Sequence, residues 1–168
     1  QGNIVDVLMP PLSAVELTVA WTFGAVTRGI VVGISAAVAM SFFAEIHIHN
    51  PFLIVYHALM GAIFMACGGI IGAIWADKFD HMAAVTNFVI TPLTFLSGTF
   101  YTIDRLPEGL RFIGHYNPFF YAIDGFRYGF LGQDSTEVGL GIAVTGLTAL
   151  AALTTTYLML KSGYKLKA

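Results

Sequence analysis

The sequence predicts an all-α fold, a polytopic integral membrane helix bundle, and three observations carry the prediction. Of the 168 residues 57% are hydrophobic and 11% charged, against about 45–50% and about 25% in an ordinary soluble domain. Mean hydropathy is +0.76, an apolar excess too large for one small core, because a domain of this size leaves about a third of its chain surface in water. The charged residues are also spaced to leave four long runs almost free of them. No alternating strand pattern competes, and in lipid a backbone must close its hydrogen bonds within each segment, which favours helices.

The elements follow in order. Residues 1–9 read as a short amphipathic helix carrying Ile4, Val5 and Leu8, closed by Pro10-Pro11. It is too short to be stable in water without a partner, so it docks on another protein or lies in the headgroups. Ser13-Ala-Val-Glu16 is a capping-box pattern opening a helix from about Ala14 to Ala44, with its membrane span near 22–44 and Arg28 near the interface. Asn50-Pro51 offers a capping side chain and a proline suited to the first helical position, ahead of a span near 52–75. A third span near 82–101 carries Asn87, Thr91, Thr94 and Gly98 on one stripe with Pro92 beside them. Polar groups in a membrane helix face protein or water, so this stripe reads as a translocation pathway with a proline-weakened hinge, or as hydrogen bonding between helices.

From Tyr101 to Phe130 aromatics accumulate, as they do at membrane interfaces. One short amphipathic helix starts near Pro107. A second opens at Asn117-Pro118 with Phe119, Ile123, Phe126 and Phe130 on one face and Tyr121, Asp124 and Tyr128 on the other. Arg127 is spaced to pair with Asp124. The two form a re-entrant hairpin or an interfacial loop. The fourth span lies near 138–160. With four spans all four lysines, Lys78, Lys161, Lys165 and Lys167, share one side, which makes that side and the N-terminal segment cytoplasmic.

Several chemistries are excluded or weak. A formal charge of −2 without a basic block gives nucleic acid no electrostatic hold. The lone Cys67 excludes an internal disulfide. No HExxH, nucleophile elbow or phosphate loop is present. Gly29-Ile-Val-Val-Gly33 and Gly68-Gly-Ile-Ile-Gly72 are GxxxG packing patterns. His47, His49 and His57 read as an interfacial, water-facing cluster; the alternative is an intramembrane metalloenzyme using these three, with Glu45 near in sequence.

The motifs Pro92, Phe95-Leu-Ser-Gly98, Leu106-Pro107, Asn117-Pro118 and Asp124-Gly-Phe-Arg127, in this order, resemble the signature of ABC-2-type permeases, the membrane subunits of bacterial ABC exporters. Val7-Leu-Met-Pro-Pro-Leu-Ser13 followed by Arg28-Gly29 resembles the family's cytoplasmic segment leading into its third membrane helix. The resemblance runs along residues 1–168 as one transmembrane domain. It implies that the first two of six membrane helices are absent from this chain.

It also implies a multi-pass protein of the bacterial inner membrane that exports a drug, polysaccharide or lipid-linked substrate and performs no catalysis itself. In such transporters two permeases pair as a homodimer or heterodimer, and ATP and Mg act on a separate ABC ATPase, with no cofactor in the permease. The ATPase-coupling helix maps onto Asn3, Ile4, Val5, Asp6, Leu8, Met9 and Pro10. The pathway or hinge maps onto Asn87, Thr91, Pro92, Thr94 and Gly98. The extracellular gate maps onto Leu106, Pro107, Asn117, Pro118, Asp124 and Arg127.

Overall fold

The computed structural model describes residues 12–97, 116–132 and 138–165. The coupling segment, Gly98, Leu106 and Pro107 lie outside the described residues. Within them every regular element is a helix. Three helices are long and apolar enough to cross a membrane: α1 (Ala14–Ser41), α2 (Pro51–Trp75) and α6 (Val138–Ser162).

Helix α1 starts on the predicted capping box: the Ser13 amide donates to Glu16 Oε2 at 2.7 Å and the Glu16 amide to Ser13 Oγ at 3.3 Å. It ends at Ser41, three residues before the expected Ala44. Helix α2 opens on Asn50, whose Oδ1 accepts from the amides of Phe52 and Leu53. The two helices run antiparallel, with Thr22 against Cys67 at 3.8 Å and Gly29 facing Ala62. Helix α6 runs parallel to α2. The Tyr56 hydroxyl donates to the Ile142 carbonyl near their starts, and at their ends Lys165 Nζ donates to the Trp75 carbonyl at 2.8 Å and pairs with Asp77 at 2.9 Å. A cation on the last carbonyls of α2 complements its dipole.

The third predicted span is a helical run in three pieces: α3 (Phe79–Val85), a π-helical turn over Thr86–Ile90, and α4 (Thr91–Phe95). Helix α5 (Pro118–Leu131) starts on Asn117 and stops at Gly132, which takes the left-handed φ of 66° common past a helix end. It lies antiparallel on the first half of α2. Phe119 meets Phe64 edge-on at 4.9 Å, Ala122 faces Gly61, and Gly125 and Gly129 receive His57 and Ile54. Phe64 is fourteen residues past Asn50, so α5 begins about 20 Å down α2.

Among the described residues buried polar side chains are as numerous as buried apolar ones, and many large apolar side chains are exposed. Thr18, Thr22, His57, Ser97, Asn117, Asp124, Thr145 and Thr156 are buried, whereas Phe23, Phe88 and Val31 point outward. Threonine hydroxyls such as Thr145 and Thr156 bond back to carbonyls of their own helix, which satisfies them without water.

The GxxxG patterns are only partly closed within this chain. A Cβ on Gly72 would strike Met82 Sδ at 2.9 Å, but one on Gly33 or Gly68 would meet nothing within 4 Å. Gly29 and Gly33 instead border a cavity of about 430 Å³ that also touches Ala58, Ala62, Phe126 and Phe130.

Candidate functional site

The α3–π–α4 run holds the predicted pathway residues, and its irregularity has a local cause. Pro92 has no amide hydrogen to give, and its ring crowds the carbonyl four residues earlier, that of Phe88. The chain widens just before it: the Thr91 amide bonds to Thr86 O, five residues back, and the Thr91 hydroxyl reaches the same oxygen at 2.9 Å. Such π-turns recur at functional sites. Thr86 and Thr94 bond back to Met82 O and Ile90 O.

Asn87 and Thr91 are exposed and Thr94 is half-buried. The Thr91 hydroxyl is satisfied within its own helix, whereas no hydrogen bond ties the Asn87 carboxamide to another described residue. Asn87 therefore presents a bare amide beside Phe88, which is 81% exposed.

At its far end this run is joined to α5. Asn117 Nδ2 donates to Leu93 O and to Ser97 Oγ, each at 2.8 Å, and Ser97 Oγ donates to Leu93 O at 2.6 Å. Asn117 Oδ1 meanwhile caps α5 by accepting from the Phe119 amide. Both side chains are almost fully buried. Ser97 was not singled out from sequence; its place in the Phe95-Leu-Ser-Gly98 motif was the available signal. Asp124 is buried and Arg127 half-buried on α5. The most fully buried residues of α5 are Phe120, Tyr121, Asp124, Gly125 and Gly129; Phe120 and Tyr121 pack by Val144 of α6, Phe119 meets Phe64 of α2, and Phe126 is 38% exposed.

The histidines do not cluster. His57 is 2% exposed, with Nδ1 on Leu53 O at 3.0 Å and its ring against Gly125, so it does not face water as expected. His49 is exposed beside Tyr128 and Gly132, two helical turns away along α5. Among the described residues no three His, Cys, Asp or Glu side chains gather to hold a metal, and the metalloenzyme alternative has no geometric support. With Nδ1 on the Leu53 carbonyl, the buried Nε2 of His57 has no partner among the described residues.

Comparison with known proteins agrees with this architecture. The family model for the ABC-2 type transporter matches residues 1–131. The chain is 35% identical over 132 residues to the inner membrane transport permease YadH of Escherichia coli (strain K12), covering 79% of this chain and 52% of that protein. It is 34% identical over 87 residues to nodulation protein J of Rhizobium leguminosarum bv. viciae, covering 52% of this chain and 33% of that protein. The chain thus spans about half the length of YadH or less of such relatives. No solved structure matches it. With a family model covering most of its length and three apolar helices long enough to span a bilayer, the chain belongs to the ABC-2 type transporter family of membrane permeases.

Proposed function

We propose that this chain is part of the permease subunit of an ATP-driven exporter in a bacterial inner membrane, moving a drug, polysaccharide or lipid-linked substrate by alternating access. The observation that carries the reading is the bare Asn87 amide on a helix with a π-turn just before Pro92. A polar group at a lipid-facing position is costly, so Asn87 faces water or another protein wall in the assembled transporter. The π-turn supplies a place for that helix to flex. Helix α5 begins about 20 Å along α2, well inside a hydrocarbon core of about 30 Å, which fits the second limb of a re-entrant gate.

In this mechanism a separate ABC ATPase, holding ATP and Mg, pairs with residues 3–10. Its closure moves the bundle only insofar as it binds one conformation better than the other, since equal affinity shifts nothing. A permease dimer encloses the cargo, with Asn87, Thr91 and Thr94 on the pathway and α5 at its outer end.

Thiol accessibility tests the reading. Cys67, the one cysteine of these 168 residues, is fully buried, so in a background with any cysteines outside them replaced, a cysteine placed elsewhere reports alone. In the full-length transporter with its ATPase, Asn87→Cys is expected to react with a membrane-impermeant methanethiosulfonate at a rate that changes when ATP is trapped. Phe88→Cys, on the outward apolar side, is expected to stay inert. Equal inertness of both would overturn the pathway assignment.

A further inference from the structure

We infer that Asn117 and Ser97 form a latch that makes α4 and α5 one moving unit, so that flexing at the π-turn lifts α5 away from α2. The inference builds on the hinge proposed above and adds how its movement reaches the outer helix.

One side chain ends one helix and starts the next. Asn117 Nδ2 caps the last turn of α4 through Leu93 O, and Oδ1 caps the first turn of α5 through the Phe119 amide. Ser97 Oγ, itself donating to Leu93 O, accepts the other Nδ2 hydrogen. Both donors and the acceptor of the carboxamide are therefore used, at 3% exposure for Asn117 and 1% for Ser97. Breaking the joint would strand buried polar groups where no water replaces the lost partners.

The seam between α5 and α2 is built differently. Along α2, α5 packs Phe119 on Phe64 edge-on at 4.9 Å, Ala122 on Gly61 and Gly129 on Ile54, and sets Gly125 against an imidazole whose Nε2 has no hydrogen-bond partner among the described residues. Parting Gly125 from the ring would uncover that nitrogen. At the outer end Gly129 O accepts the amides of His49 and Asn50 at 3.0 and 2.8 Å, which makes a pivot. A flexing α4 thus pulls on α5 through a hydrogen-bonded joint, and α5 turns about this pivot.

Spin-label distances in the full-length transporter with its ATPase, in lipid nanodiscs, test this at outward-facing sites. Label pairs are placed at Phe79 and Phe95 across the π-turn, at Phe95 and Phe126 across the latch, and at Val55 and Phe126 across the seam. Between nucleotide-free and ATP-trapped states the first and third distances are expected to shift, with the second constant. Asn117→Ser keeps an N-cap but loses the reach to α4, and Ser97→Ala removes the second contact; in either variant the single narrow Phe95–Phe126 distance is expected to be lost. A Phe95–Phe126 distance that shifts in the wild type, or stays narrow in both variants, overturns the latch. A static Phe79–Phe95 distance overturns both the hinge proposed above and its transmission to α5.

Discussion

Gly125→Ala tests the packing of α5 on α2 most directly. A Cβ there would lie 2.2 Å from His57 Nε2, 2.4 Å from Cε1 and 2.6 Å from Cδ2. Comfortable contact for such atoms is near 3.5 Å, so the ring or the helix must give by more than about 1 Å. The ring is held on Leu53 O at 3.0 Å and stands edge-on to Tyr56 at 5.2 Å between ring centres, so it cannot swing without losing that bond. Overpacking costs about 1–3 kcal/mol and the hydrogen bond about 1 kcal/mol. The helix-propensity gain of alanine over glycine returns about 1 kcal/mol. The net loss is then about 1–3 kcal/mol, or roughly 5- to 150-fold in the unfolding constant.

Reversible unfolding in mixed micelles with added SDS measures it, read by the fluorescence of Trp21 and Trp75. Gly68→Ala is the matched control: its Cβ meets nothing within 4 Å, so propensity alone acts and the variant is neutral or slightly stabilised. Removing the ring should relieve the clash, so Gly125→Ala is expected to cost much less in a His57→Ala background, the signature of direct coupling. If Gly125→Ala matches Gly68→Ala in stability, or its cost is unchanged by His57→Ala, then the imidazole does not occupy the groove.

Two further outcomes follow from single contacts. Pro92→Ala restores an amide hydrogen and removes the ring from the Phe88 carbonyl, so hydrogen exchange at residues 86–92 should slow; unchanged exchange would mean the π-turn is not caused by the proline. Where α2 and α6 end, the hydrogen bond from Lys165, followed by its charge, holds the Asp77 carboxyl below the usual carboxylate range. A carboxylate depressed by folding stabilises above its unfolded value and loses that contribution as pH falls through the folded one. Acidification below about pH 4 should therefore loosen this corner in wild type and leave Asp77→Asn unaffected, as followed by fluorescence of the adjacent Trp75. The effect should be small and weakened by salt, because the pair is solvent-exposed.

The helix starts were legible because they depend on local chemistry. Ser13 with Glu16, Asn50 with Pro51 and Asn117 with Pro118 cap helices where sequence placed them. The long apolar runs were legible because charge is excluded from lipid. What periodicity could not supply was which face packs. In water the apolar face of α5 would turn inward; here both surroundings are apolar, so shape decides: Ala122, Gly125 and Gly129 let α5 lie close on α2, while Phe120 and Tyr121 pack by Val144 of α6. Composition likewise could not separate His57 from His47 and His49, because burial of the first depends on Gly125, 68 residues later in sequence. Pro92 signalled weakness, but the turn lies before it, where the unmatched carbonyls are.

Since lipid and protein interior are alike apolar, polar side chains mark function in this fold by how well they are satisfied. Thr145 and Thr156 bond within their own helix and can be carried through any motion unchanged. Asn117 and Ser97 also bond to each other across two elements, which resists their separation. His57 Nε2 is buried without a described partner, a cost borne by the packed arrangement. Asn87 is outward and without a described partner. A gating element needs a joint that carries movement, a contact that can part and a polar wall for what passes. In the gate proposed above, Asn117, the Gly125–His57 contact and Asn87 would take these three roles.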